Sequence, residues 1–121
     1  MPQVFADAVH LQQVFMNLTV NAMEALSEQP LGRTRTLEIS TKWNRAVHEV
    51  VVRFKDNGPG IDPQVLSKIF DPFFSTKEKG SGIGLALCHD LVVEHGGKIE
   101  VNSSQDGTTF IIRLPSLAKA V

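Results

Sequence analysis

Asn17-Leu18-Thr19-Val20-Asn21-Ala22 stands in the middle of the longest helical run of the chain, with two asparagines four residues apart. Asp7 is placed to N-cap this helix, which runs to about Ser27 and is stopped by Gln29-Pro30-Leu31-Gly32. At about 100° per residue, His10, Gln13, Asn21, Glu24 and Glu28 all fall within about 40° of Asn17. Val14, Leu18, Leu11, Ala22, Phe15 and Leu26 lie on one side of that stripe. Val20, Met16 and Met23 lie on the other, so the pattern predicts a helix buried over most of its girth. The ordinary reading of the stripe is a solvated face. Its centre is amide rather than charge, however, and amide oxygens one turn apart can help hold a hard cation that phosphate oxygens also bind.

Working outward, residues 36–43 and 47–55 carry β-favouring patterns on either side of the turn Asn44-Arg45-Ala46. Residues 98–103 and 109–114 predict a second hairpin turning at Gln105-Asp106-Gly107. Residues 3–6 read as a short strand or a lead-in. Asp62 caps a short helix at about 63–68, and a third helix runs from about Gly82 to Glu94, closed by Gly96-Gly97. About five strands and three helices predict an α+β fold. Its form is a two-layer α/β sandwich, a mixed sheet of about five strands with the helices on one face.

The 121 residues suit a single domain spanning 1–121. Hydrophobic residues at 42% and charged residues at 21% place it among ordinary globular chains rather than disordered ones. A net charge of −1 argues against a nucleic-acid partner held by a basic surface. No apolar run has the length of a membrane span and no leader is evident, so no membrane contact by this fragment is expected. Cys88, the single cysteine, has no disulfide partner and reads as a small packing residue. It fits a cytoplasmic location, whether or not a parent protein is membrane-anchored.

Two glycine clusters follow. Asp56-Asn57-Gly58-Pro59-Gly60 leaves the second strand. By itself it is an ordinary turn. A carboxylate at a strand end also accepts a hydrogen bond from an exocyclic amine such as that of adenine, and glycines let a base approach the backbone. Gly80-Ser81-Gly82-Ile83-Gly84-Leu85 enters the third helix and offers backbone N–H groups at a helix N-terminus, a natural phosphate cradle. It is neither a Rossmann fingerprint nor a P-loop, because no strand leads directly into it and no Gly-Lys-Ser/Thr follows. Between the clusters, Phe70-Asp71-Pro72-Phe73-Phe74-Ser75-Thr76-Lys77 either pins a loop to the core or forms a lid over a ligand.

Taken in order, these segments resemble the catalytic ATP-binding domain of histidine kinases, within the wider gyrase, heat-shock-chaperone, kinase and mismatch-repair ATPase superfamily. Asn17 to Ala22 resembles the N box, Asp56 to Gly60 the G1 box, Phe70 to Phe74 the F box and Gly80 to Leu85 the G2 box. Gly107-Thr108-Thr109-Phe110, leading to Leu114-Pro115, is similar to the closing strand pair, so the likeness covers about Asp7 to Pro115. The short loop from Ser75 to Lys79 is similar to the compact lids of nitrogen-regulation and oxygen-sensing kinases.

The resemblance implies a Bergerat-type sandwich that binds ATP with Mg²⁺. On it, Asn21 is the magnesium ligand and Asn17 its neighbour at the phosphates. Asp56 bonds the adenine amine, with Gly58, Gly60, Ile61 and Phe70 around the nucleotide, and Thr108 supports a water network at the base. Gly80, Ser81, Gly82, Ile83, Gly84 and Leu85 form the phosphate loop, with Gly82 and Gly84 donating backbone N–H groups. Lys77 either reaches the γ-phosphate, which joins it to Asn17 as a catalytic residue, or is a solvated lid charge.

In hydrolysing members and in related serine kinases, a glutamate stands where this chain has Asn17. An amide is no general base near neutral pH. The resemblance therefore implies a domain that holds ATP without spending it on water, while a histidine nucleophile brings its own basic nitrogen and the chemistry rests on positioning. None of His10, His48, His89 or His95 fits as phosphoacceptor. His48-Glu49 opens a β-run, His89 lies on the third helix, and His95 is placed to meet that helix's C-terminus. The implied partners are a dimerisation and phosphoacceptor domain of the same protein, and a response regulator downstream. Two rivals stay open: an ATP-hydrolysing or serine-phosphorylating member, and a nucleotide-binding domain that only docks to a partner.

Overall fold

Asp7 starts the first helix as its spacing predicts. Its backbone is extended (φ −79°, ψ 114°) and its carboxylate accepts the N–H groups of Val9 at 2.9 Å and His10 at 3.2 Å. The His10 bond is the largest cause holding the Asp7 carboxyl below its ordinary value. The computed structural model describes residues 4, 6–28, 32, 34–71 and 84–116. Along these run α1 (Ala8–Leu26), β1 (Leu37–Asn44), β2 (Glu49–Asp56), α2 (Pro63–Leu66), α3 (Gly84–Glu94), β3 (Lys98–Ser104) and β4 (Gly107–Pro115).

The sheet order is β1-β2-β4-β3, and every neighbouring pair is antiparallel. β3 runs in the same direction as β2, but β4 inserts between them. Among the described residues the sheet therefore has four antiparallel strands, where the sequence predicts about five in a mixed sheet. Residues 3 and 5 of the short N-terminal strand expected at 3–6 lie outside the described residues, and Val4 and Ala6 belong to no strand. The first hairpin turns one residue later than expected. Asn44 still pairs with Glu49, and His48 takes the positive φ of 54° that closes the turn.

Strand alternation sends Val50, Val52 and Phe54 of β2 and Phe110, Ile112 and Leu114 of β4 to one face. There they meet Val14 and Leu18 of α1 and Cys88, Leu91 and Val92 of α3 in one core. Cys88 is the small packing residue expected: it is fully buried, its thiol lies 3.7 Å from the Val14 carbonyl, and burial pushes that thiol up to about 11. The prediction that α1 is buried over most of its girth fails. Val9, Met16, Val20 and Met23 are 68%, 62%, 43% and 61% exposed, because a two-layer sandwich gives α1 only the sheet and α3 to pack on.

α3 ends in a Schellman motif. Gly96 adopts φ 74°, Gly97 N–H reaches the Val92 carbonyl at 3.0 Å and Gly96 N–H reaches Val93 at 2.9 Å. His95 meets this helix end as expected, with Nδ1 at 2.7 Å from the Leu91 carbonyl. Its Nε2 also accepts the Asp7 N–H at 3.0 Å, so one imidazole ties the end of α3 to the start of α1. No described helix is long and apolar enough to cross a membrane.

Candidate functional site

β2 delivers Asp56 to the site. Val50, Val52, Phe54 and Asp56 share the inward face, so the strand period that builds the core also points this carboxylate into it, 3% exposed. Asp56 pairs with Leu37 on one side and Thr108 on the other. Its Oδ1 accepts the N–H of Gly58 at 2.9 Å and of Thr108 at 3.3 Å. Those two bonds fix the carboxylate through Oδ1.

The loop after Asp56 is held from three sides. Asn57 accepts the Thr36 N–H at 2.8 Å and donates to the Thr34 carbonyl at 2.7 Å. Gly58 is buried, and a Cβ there would stand 3.0 Å from Asp56 Oδ1 and 3.3 Å from the Ala25 Cβ on α1. Gly60 adopts φ 84°, with a hypothetical Cβ 1.9 Å from the Ser104 carbonyl oxygen. Ile61 donates its N–H to Ser103 Oγ at 2.7 Å, and Ser103 Oγ lies 3.0 Å from Thr108 Oγ1. Gly107 is as constrained as Gly60: at φ 138° its Cβ would fall 2.0 Å from the Asp56 carbonyl oxygen.

α1 links this pocket to the start of α3. Ala25 touches the Gly58 position, Asn21 lies one turn back and half-buried, and Asn17 lies a further turn back. From Ala25 to Asn17 the helix advances about 12 Å. At that end the Asn17 amide donates to the Gly84 carbonyl at 3.4 Å. Gly84 opens α3, and among the described residues a Cβ there would meet nothing nearer than Asn17 Nδ2 at 4.0 Å. Leu85 and Ile61 pack against the core, and Phe70 contacts His89 and Phe110 with ring centroids 5.7 and 6.3 Å apart. Phe70 thus pins its end of the aromatic-rich segment to the core.

The structure therefore brings Asp56, Gly58, Gly60, Ile61 and Thr108 into one cluster through Ser103 and Ser104, sets Asn17 against Gly84 with Asn21 one turn along α1, and packs Phe70 and Leu85 on the core. Lys77, Gly80, Ser81, Gly82 and Ile83, with Phe73, Phe74 and the loop 75–79, lie outside the described residues. Sequence reading missed Ser103. Its signal is a polar residue at an inward position of β3, two beyond Val101 and four beyond Ile99, both of which pack on the core.

The family described as histidine kinase-, DNA gyrase B- and HSP90-like ATPase matches residues 6–118. The sensory histidine kinase/phosphatase NtrB of Rhizobium leguminosarum bv. phaseoli is 38% identical over 125 residues, covering 96% of this chain and 33% of that protein. The two-component sensor PprA of Pseudomonas aeruginosa is 40% identical over 119 residues, covering 97% of this chain and 13% of its own length. Among solved structures, a nucleotide-free catalytic domain of histidine kinase ThkA superposes with a TM-score of 0.79 at 36% identity, over 93% of this chain and 70% of that one. Full-length ShkA in complex with AMPPNP gives a TM-score of 0.81 at 26% identity, over 96% of this chain and 23% of that one.

Proposed function

The chain belongs to the histidine kinase-, DNA gyrase B- and HSP90-like ATPase family, and from that premise we propose that it is the Mg-ATP-holding, phosphoryl-donor domain of a two-component sensor histidine kinase. It spans about a third of the length of the NtrB relatives it matches. The reading therefore assigns it half of a reaction. The accepting histidine belongs to a separate dimerisation domain of the same protein, a response regulator stands downstream, and the domain works in the cytoplasm.

One observation carries the proposal. A fixed, inward carboxylate and the start of a helix stand at the two ends of one run of α1, with Asn21 and Asn17 between them. Asp56 Oδ2 accepts the adenine amine. The start of α3 receives phosphate, because helix N-termini carry unsatisfied N–H donors and a partial positive charge.

The metal fits as part of the nucleotide. Among the described residues no group of three His, Cys, Asp or Glu is placed to hold an ion, and the stripe of α1 that carries Gln13 and Glu24 has the neutral amide oxygens of Asn17 and Asn21 at its centre. Mg²⁺ readily keeps waters and phosphate oxygens as most of its ligands, so Asn21 adds one protein oxygen to an ion that arrives with ATP. When bound, the ion neutralises phosphate charge.

Asn17 separates this reading from the hydrolysing and serine-phosphorylating ones. Its amide has no basicity to activate water or a serine, and its nitrogen is already donated to Gly84. Calorimetric titration of the 121-residue chain with Mg-ATP should show binding, while incubation with labelled ATP should leave the chain unlabelled and release almost no phosphate. Absence of binding would end the proposal. Steady hydrolysis would move the chain to the ATPase reading.

Gly84 supplies a second test. Among the described residues a Gly84→Ala methyl meets only Asn17 Nδ2, at 4.0 Å, and the change removes a helix-disfavouring residue, so the melting temperature should hold or rise. The added methyl faces the Asn17 side of the phosphate end, so Mg-ATP affinity should fall roughly tenfold, the scale of one weakened hydrogen bond. An affinity equal to wild type would show that phosphate does not sit against the start of α3.

A further inference from the structure

Ser103 joins β3, the start of β4 and the loop at Ile61. Its Oγ accepts the Ile61 N–H at 2.7 Å, lies 3.0 Å from Thr108 Oγ1 and lies 3.3 Å from the Gly107 carbonyl. A serine hydroxyl has one proton and two lone pairs. Ile61 takes one lone pair. The proton then has two acceptors, and the shorter approach is to Thr108, nearer the usual O–H···O distance.

The direction of that bond matters. If Ser103 donates to Thr108, the Thr108 hydroxyl keeps its own proton to give to the pocket. If Thr108 donated to Ser103, it would offer the pocket lone pairs only. Thr108 is 4% exposed, its N–H is bonded to Asp56 Oδ1, and it is the cross-strand partner of Asp56, so the two side chains share one face of the sheet. Adenine presents an amine donor next to a ring-nitrogen acceptor. Guanine and hypoxanthine present a carbonyl acceptor next to an N–H donor. An acceptor at Asp56 with a donor at Thr108, acting directly or through water, matches adenine and mismatches the other two.

We propose that Ser103 is a specificity-determining positioning residue: it sets the Thr108 hydroxyl as a donor and so makes the pocket select adenine over 6-oxopurine nucleotides. The inference rests on the assignment of this pocket to the base of ATP. Ser103 acts through Thr108 and the Ile61 loop.

The test is calorimetric titration of the 121-residue chain and its variants with Mg-ATP, Mg-GTP and Mg-ITP. Wild type should prefer ATP. Ser103→Ala should lose about tenfold in ATP affinity, the scale of one hydrogen bond, while GTP and ITP affinities hold or rise. Ser103→Thr keeps the hydroxyl and should restore the preference. Thr108→Val leaves the Ser103–Ile61 bond in place and should lower the ATP preference as Ser103→Ala does. That second variant keeps the test decisive should Ser103→Ala fail to fold. Equal losses for all three nucleotides would mean that Ser103 only braces the loop, and would overturn the proposal. So would an unchanged preference in Thr108→Val. A wild-type chain that binds ATP no better than GTP would instead fail the adenine assignment itself.

Discussion

Asp56→Asn is expected to melt as wild type does and to bind Mg-ATP at least about 100-fold more weakly, close to the upper range for losing a hydrogen bond to a charged group. The asparagine oxygen can keep both bonds of Oδ1, to the Gly58 and Thr108 N–H groups. Those two donors orient the new side chain, so its NH₂ takes the place of Oδ2. A donor then faces the adenine amine, itself a donor. Asp56→Ala loses binding too, but it strips the acceptor from two N–H groups at a buried position, at about 1–3 kcal/mol each. The asparagine variant is therefore the cleaner probe. Calorimetry with parallel thermal melts measures both quantities, and full ATP affinity in a folded Asp56→Asn protein would remove Asp56 from the site.

Gly60→Ala should have the opposite character, with loss of the fold before loss of a contact. At φ 84° an L side chain costs about 1–2 kcal/mol by itself. The added Cβ would also fall 1.9 Å from the Ser104 carbonyl oxygen, a backbone atom of a paired strand that cannot swing aside. Relief requires the loop to leave β3, which breaks the Ile61–Ser103 bond. A destabilisation of about 3 kcal/mol or more is expected, lowering the melting temperature by more than about 10 °C. Gly32→Ala is the control. Gly32 has a similar φ of 90° with no described atom within 4 Å of a Cβ there, so the backbone strain is the cost expected. Thermal denaturation followed by circular dichroism separates the two, and equal melting of both variants would refute the close-approach argument.

Much of the fold is legible in the residues. The cap at Asp7, the Gly96-Gly97 stop and both hairpin turns are local chemistry, and they fall where the pattern puts them to within about two residues. The departures have non-local causes. Met16, Val20 and Met23 carry the periodicity of a buried side, but hydropathy along one helix does not say how many layers will surround it. The sheet's antiparallel pairing follows from β4 entering between β2 and β3, an ordering that strand patterns do not encode.

At the site the division is similar. The sequence by itself determined which residue types are present and in what order: a carboxylate at a strand end, asparagines one turn apart, glycines at two loops. Their chemistry is carried by type and short spacing, since the periods of helix and strand convert spacing into a shared face. Only the tertiary structure decided which glycines are irreplaceable and which polar residue connects the pocket. Gly60 and Gly107 are held by backbone that arrives from β3 and β2, and Gly84 has no such backbone against it among the described residues. Ser103 gains its place because register sets it across from Thr108 while the loop at Ile61 comes within 2.7 Å. Such distances depend on three chain segments packing at once, and nothing in the local pattern of any one of them fixes the approach of the other two.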